Sequence, residues 1–315
     1  MQRENAIFQR TLDKLKIGVL GIPFNVGWAE VAEGIAEAPE ALRTAGLVKE
    51  LSATGREVFD LGDVQCDLPK RDSANPKLLN PPQVIALSKA IAPRVAECVR
   101  AGYFPLILGG EDSILMGIVD GLSKSLNKRF GLIYFDAHGD FNTPETTPSG
   151  LIGGMNVAAV AGRGPTNLTN IFGHRPQLPE ESIVLFGTRD LDDPEKAALH
   201  NSKVTVISAN EIRETGGSQA MRKAIQTLKP HVDTIYVHMD VDVLDPAEMS
   251  AQILPVPNGI SLVECGSALE TAASSGMLCG AAFMVFNARK DPNQSEARKI
   301  IGITTRLSQS LVIDH

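Results

Sequence analysis

None of the four cysteines, Cys66, Cys98, Cys265 and Cys279, stands in a CxxC pair. Scattered cysteines in a chain of 315 residues predict reduced thiols and a cytoplasmic setting rather than a disulfide framework. No repeat, low-complexity tract or linker is visible, and the polar opening MQRENAIFQRTLDKL does not read as a signal peptide. The longest near-apolar run, GMLCGAAFMVF, is too short to span a bilayer, so no membrane partner is expected. Nor is there a basic excess: the formal net charge is −7, which argues against nucleic acid as a partner and leaves a small molecule.

What the chain does contain is a series of short apolar runs. They lie at 16–22, 56–62, 104–110, 130–136, 182–188, 203–208, 234–240 and 280–286. Most are rich in Val, Ile, Leu and Phe without strict alternation, the pattern of parallel strands buried on both faces. Helical patterns separate them, among them PEALRTAGLVKELSATG, PPQVIALSKAIAPRVAECVRAG and ARKIIGITTRLSQSLVI. Alternating β and α units predict an α/β fold: an open parallel sheet with helices on both faces.

Polar residues cluster where these runs end. GGEDS, DAHGD, GTRDLDD and MDVDVLD each follow an apolar run, and ligands of open α/β sheets bind outside the carboxyl ends of the strands. Asp136, His138 and Asp140 alternate, as do Asp240 and Asp242, which places each set on one face of extended backbone. Five carboxylates meeting in one crevice, counting Asp112, repel one another unless cations neutralise them. Hard divalent ions such as Mn or Mg suit oxygen ligands with an occasional imidazole. Two of them sharing carboxylates would sit roughly 3.5 Å apart and turn a water into a nucleophile.

DAHGDFNTPETTPSG and HMDVDVLDP closely resemble the signatures of the ureohydrolase superfamily of arginases and agmatinases, with NTPETTPSG similar to the arginase branch. GIPFNVG…GIAEAPEALRTAGL and GTRDLDDPE extend the likeness from about residue 16 to the end. The resemblance implies one domain over 1–315, with 1–15 as an N-terminal extension, built as an α/β/α sandwich around about eight parallel strands. It also implies two Mn2+ ions, a bridging hydroxide that attacks a guanidinium carbon, and a homo-trimer or homo-hexamer. Asp136, His138, Asp140, Asp240 and Asp242 match metal ligands, and Asp140 also matches the acceptor of a hydrogen bond from the hydroxide. Asn142, Thr147 and Ser149 match groups that hold an α-carboxylate; Asp192 and Glu195 match those that reach an α-amino group.

Three departures alter the chemistry that the resemblance implies. Asp112 stands where the family has a histidine ligand, in GGEDS. Gly153 stands where arginases have a histidine that shuttles a proton, and Val285 where the family has a guanidinium-binding Glu. The glycine-rich turn after LDPA is also changed. His238, ahead of the ligand pair, is expected to be structural. The expected activity is hydrolysis of a C–N bond in a guanidino, amidino or other arginine-related, amino-acid-like substrate. The competing expectation is an impaired relative acting as a binding or regulatory subunit.

Overall fold

The structure, a computed structural model, describes residues 15–28 and 33–312; residues 1–14 of the expected N-terminal extension lie outside the described residues. Eight strands form one sheet in the order β2-β1-β3-β8-β7-β4-β5-β6. They are β1 Lys16–Ile22, β2 Glu57–Asp63, β3 Tyr103–Gly109, β4 Phe130–Phe135, β5 Ile183–Thr188, β6 Thr205–Ser208, β7 Thr234–Asp240 and β8 Leu278–Met284. Every pairing is parallel. β4, β5 and β7 are buried at every position, as their mostly apolar content without strict alternation predicts. β2, at one edge, is exposed or half-buried throughout.

Two apolar clusters cover the two faces. One packs Leu106, Ile133, Val237 and Phe283 beneath the helices Leu262–Ser274 and Ser295–Ser310. The other packs Ile107, Tyr134, Tyr236 and Ala282 beneath Pro81–Arg100 and Leu115–Ser123. This is the expected three-layer α/β/α architecture. One predicted helix is two: PEALRTAGLVKELSATG forms Ala38–Thr44 and Leu47–Ala53. Gly46 between them has φ 102, a left-handed conformation that glycine adopts without steric cost and that ends the first helix.

Strand order determines which tips meet. β7 lies between β4 and β8, and β8 lies between β7 and β3. In register, Phe135 pairs Met239, so the residues that follow, Asp136 and Asp240, emerge side by side. The tip of β3, which leads into Asp112, is one strand further away across β8. No described helix is long and apolar enough to cross a membrane.

Candidate metal centre

The tips of β3, β4 and β7 bring five carboxylates together, and all are buried: Asp112, Asp136, Asp140, Asp240 and Asp242. Two subsets have the spacing to hold an ion. Asp112, Asp136 and Asp240 form one; Asp136, His138 and Asp242 form the other, with the ligand atoms of each within 4.8 Å of one another. Asp136 belongs to both. Backbone N–H groups fix these acids locally: His138 N donates to Asp136 Oδ1 at 2.6 Å, Asp242 N to Asp240 Oδ1 at 2.7 Å, and Ala137 N to Asp242 Oδ1 at 3.0 Å. Arg189, just beyond β5, donates to the carbonyls of Asp242 at 2.8 Å and Val243 at 3.1 Å and staples the β7 tip in place.

The electrostatics are those of a cation site. Burial, followed by repulsion from Asp242, pushes the Asp136 carboxyl up to about 7. Burial and neighbouring acids raise Asp112, Asp140 and Asp240 well above the usual carboxylate range. Burial works against charge on His138 too, but Asp242 and Asp136 outweigh it and raise the imidazole to about 12. Its Nδ1 lies 3.1 Å from both Asp136 Oδ1 and Asp242 Oδ2. A protonated His138 is therefore the built-in substitute for a cation between those acids. Burial would also raise Asp242, yet the adjacent His138 charge holds it low.

Orphaned atoms show that this proton does not complete the set. Among the described residues Asp112 Oδ2 is buried with no hydrogen-bond partner, and Asp242 Oδ2, although near His138 Nδ1, has no aligned donor. Buried carboxylate oxygens without donors are costly, and divalent cations satisfy them. The donor set, oxygen-rich with one imidazole, suits Mn-class ions.

Asp140 falls outside both three-residue groups. It sits at φ 47, a left-handed conformation that Asp tolerates better than most residues. Its Oδ2 accepts from Tyr134 OH at 2.5 Å and from Asn156 Nδ2 at 3.0 Å. Among the described residues no hydrogen bond falls on Oδ1, and Asp140 lines the adjoining pocket. All five residues expected to bind substrate line that pocket as well: Asn142, Thr147, Ser149, Asp192 and Glu195. Asn142 Nδ2 donates to Asp192 Oδ2 at 3.0 Å. Glu195 braces the metal loop, accepting from Phe141 N at 2.7 Å, and burial lifts its carboxyl to about 7. Trp28, Pro148, Leu151 and Leu254 supply apolar wall, and His138 and Asp190 add polar groups.

Sequence reasoning missed Trp28, and no local pattern pointed to it. Its indole nitrogen is buried without a partner among the described residues, and it packs where a Cβ on Gly153 would collide with it. Gly153 is therefore covered by a ring rather than facing open space. Behind Trp28, Glu111 accepts from Gly27 N at 3.0 Å, from Ser113 N at 2.8 Å and from Ser113 Oγ. Val285 is 1 % exposed within an apolar cluster and does not line the pocket. His238, expected to be structural, is wholly buried: its Nε2 lies 3.1 Å from Asp112 Oδ1, and burial lowers its imidazole to about 3. The period of two that linked Asp240 to Asp242 extends back to His238, so a signal existed. A second cavity, at the amino ends of the strands, is lined by Leu15, Phe104, Leu126, Met277 and Leu278 and contributes none of these acids.

An open parallel sheet with a buried acid shared between two candidate ligand groups at its carboxyl edge is the arrangement expected of a metal-dependent hydrolase. The comparisons agree. A model of the Arginase family matches residues 15–314. The arginase of Brevibacillus brevis is 35 % identical over 289 residues, covering 91 % of this chain and 95 % of that protein. The arginase of Bacillus caldovelox is 33 % identical over 297 residues, covering 94 % and 97 %. The crystal structure of arginase from Bacillus cereus superposes with a TM-score of 0.85 at 33 % identity, over 93 % of this chain and 98 % of that one. Formimidoylglutamase from Bacillus subtilis, at 17 % identity and a TM-score of 0.75 over 95 % of this chain and 87 % of that one, shares the fold. The chain belongs to the Arginase family.

Proposed function

We propose that the chain is a binuclear metal-dependent hydrolase that breaks a C–N bond in a guanidino, amidino or other arginine-related substrate with an amino-acid end. The observation that carries this reading is Asp136, buried and shared by two ligand groups. Asp112, Asp136 and Asp240 would hold one divalent ion; Asp136, His138 and Asp242 would hold the other, with Asp140 as a further ligand. Manganese is the native ion in this reading, and the chain is a single ureohydrolase-like domain that assembles as a homo-trimer or homo-hexamer in the cytoplasm. When bound, the two ions supply Lewis-acid activation of a water molecule.

The rest falls to side chains. Tyr134 and Asn156 fix one oxygen of Asp140, leaving the other as the acceptor of a hydrogen bond from the nucleophile. Asn142, Thr147 and Ser149 take the substrate's carboxylate end, and Asp192 and Glu195 take its amino group. Five carboxylates against two divalent ions leave one net negative charge, which favours a cationic reacting end. Val285 offers no carboxylate for bidentate pairing, so a guanidinium is held less tightly than a family Glu would hold it.

Metal analysis paired with urea and ammonia release from a panel of guanidino and amidino compounds tests this. About two Mn-class ions per chain are expected. Asp136→Ala should impair both positions, while Asp242→Ala should spare the Asp112 group. Unchanged metal content in both variants refutes the assignment. Two bound ions with no product from any compound would favour a binding role instead.

A further inference from the structure

The two halves of the centre differ, and the difference lies in one buried side chain. His238 is wholly inaccessible and stands in register with Tyr134 on β4 and Ala282 on β8. Its ring stacks on Tyr134, with centroids 5.1 Å apart and planes 9° from parallel. On the β8 side the neighbouring side chain is only a methyl group. Across it, His238 Nε2 meets Asp112 Oδ1 at 3.1 Å, while Nδ1 meets Tyr236 OH at 3.3 Å. A carboxylate only accepts and a phenol has a proton to give, so Nδ1 accepts from Tyr236 and Nε2–H donates to Asp112. The relay occupies one oxygen of Asp112 and leaves Oδ2 buried without a partner among the described residues.

We propose that His238 is the positioning residue for the Asp112 half of the metal centre, turning that carboxylate so that its unpaired oxygen faces the cation. The inference rests on the metal reading above. Outer partners that fix a ligand's orientation change metal affinity by roughly 10–100-fold when removed. The Asp112 half presents three carboxylates and no nitrogen, so it selects a hard, oxygen-seeking ion and depends on His238. The other half contains the imidazole of His138 and does not depend on it.

The test uses the full-length protein, Mn2+ alone and two substitutions. His238→Phe keeps a ring to stack on Tyr134 and removes the donor; His238→Gln keeps an N–H within reach of Asp112. Equilibrium dialysis counts the ions, and electron paramagnetic resonance separates exchange-coupled Mn2+ pairs from isolated ions. The wild type should bind two ions as a coupled pair. His238→Phe should bind the first as tightly as wild type and the second roughly 10–100-fold more weakly, with the spectrum of an isolated ion. His238→Gln should restore the pair. Two ions bound by His238→Phe at wild-type affinity would overturn the inference and leave the metal reading intact. Loss of both ions by a variant with wild-type circular dichroism, or failure of His238→Gln to rescue, would also overturn it. A wild type that binds no Mn2+ would bring down the metal reading itself.

Discussion

Gly153 and Trp28 compete for one volume. A histidine at 153 would not add a titrating group to open space, because the indole already fills it. Even a single methyl group must push a ring that is 7 % exposed, on a loop tied to Glu111 through the Gly27 N–H. Gly153→Ala should therefore destabilise the fold by about 1–3 kcal/mol, the usual cost of overpacking. Trp28→Phe, which removes the colliding nitrogen, should recover much of that loss in the double variant. Urea denaturation of the four proteins decides the matter, and a Gly153→Ala as stable as wild type would show that the indole yields freely.

At the scale of elements, the strand tips determine the chemistry. Glu111 follows β3 and is wholly buried, accepting from one N–H of the 23–28 loop and from two groups of Ser113. Glu111→Gln keeps the shape but turns an amide donor toward those donors. A loss of about 1–3 kcal/mol in chemical denaturation is expected, the cost of leaving buried donors unpaired. The sheet was legible in the sequence because its central strands are buried on both faces and are mostly apolar. The acids were legible because a period of two survives in DAHGD and DVD. What could not be read depends on strand order. Nothing in the sequence says that β8 separates β3 from β7, so the meeting of His238 with Asp112 across Ala282 was invisible. The break at Gly46 was hidden inside a continuous helical pattern for a different reason: one left-handed residue costs glycine little and redirects a whole element. Trp28 and Gly153 are 125 positions apart in the chain and meet only in the folded protein.

Taken as a whole, the metal-free molecule carries a pH-dependent strain. The Asp136 carboxyl titrates near 7 in the fold against an ordinary 3.8, so the folded state holds a proton that the unfolded state has lost. Its contribution falls as pH rises through that window. His138, raised from 6.5 to about 12, works in the same direction above pH 6.5: its stabilising charge is lost as pH rises toward its folded value. Cations that replace these protons relieve the strain and expel the protons into solvent. Mn2+ should therefore raise the thermal midpoint more at pH 8 than at pH 6.5. Indicator dyes should record more protons released per chain at pH 6.5 than at pH 8. Equal midpoint shifts at both pH values would mean that the acids are not the groups neutralised.

The chain has a single tryptophan, and the fold places it in the wall of the pocket beside His138 and Asp140. Its ultraviolet emission is consequently a local signal rather than an average over the molecule. Whatever ion or small molecule enters does so next to the only indole present, so the protein carries its own optical gauge of occupancy without any attached label.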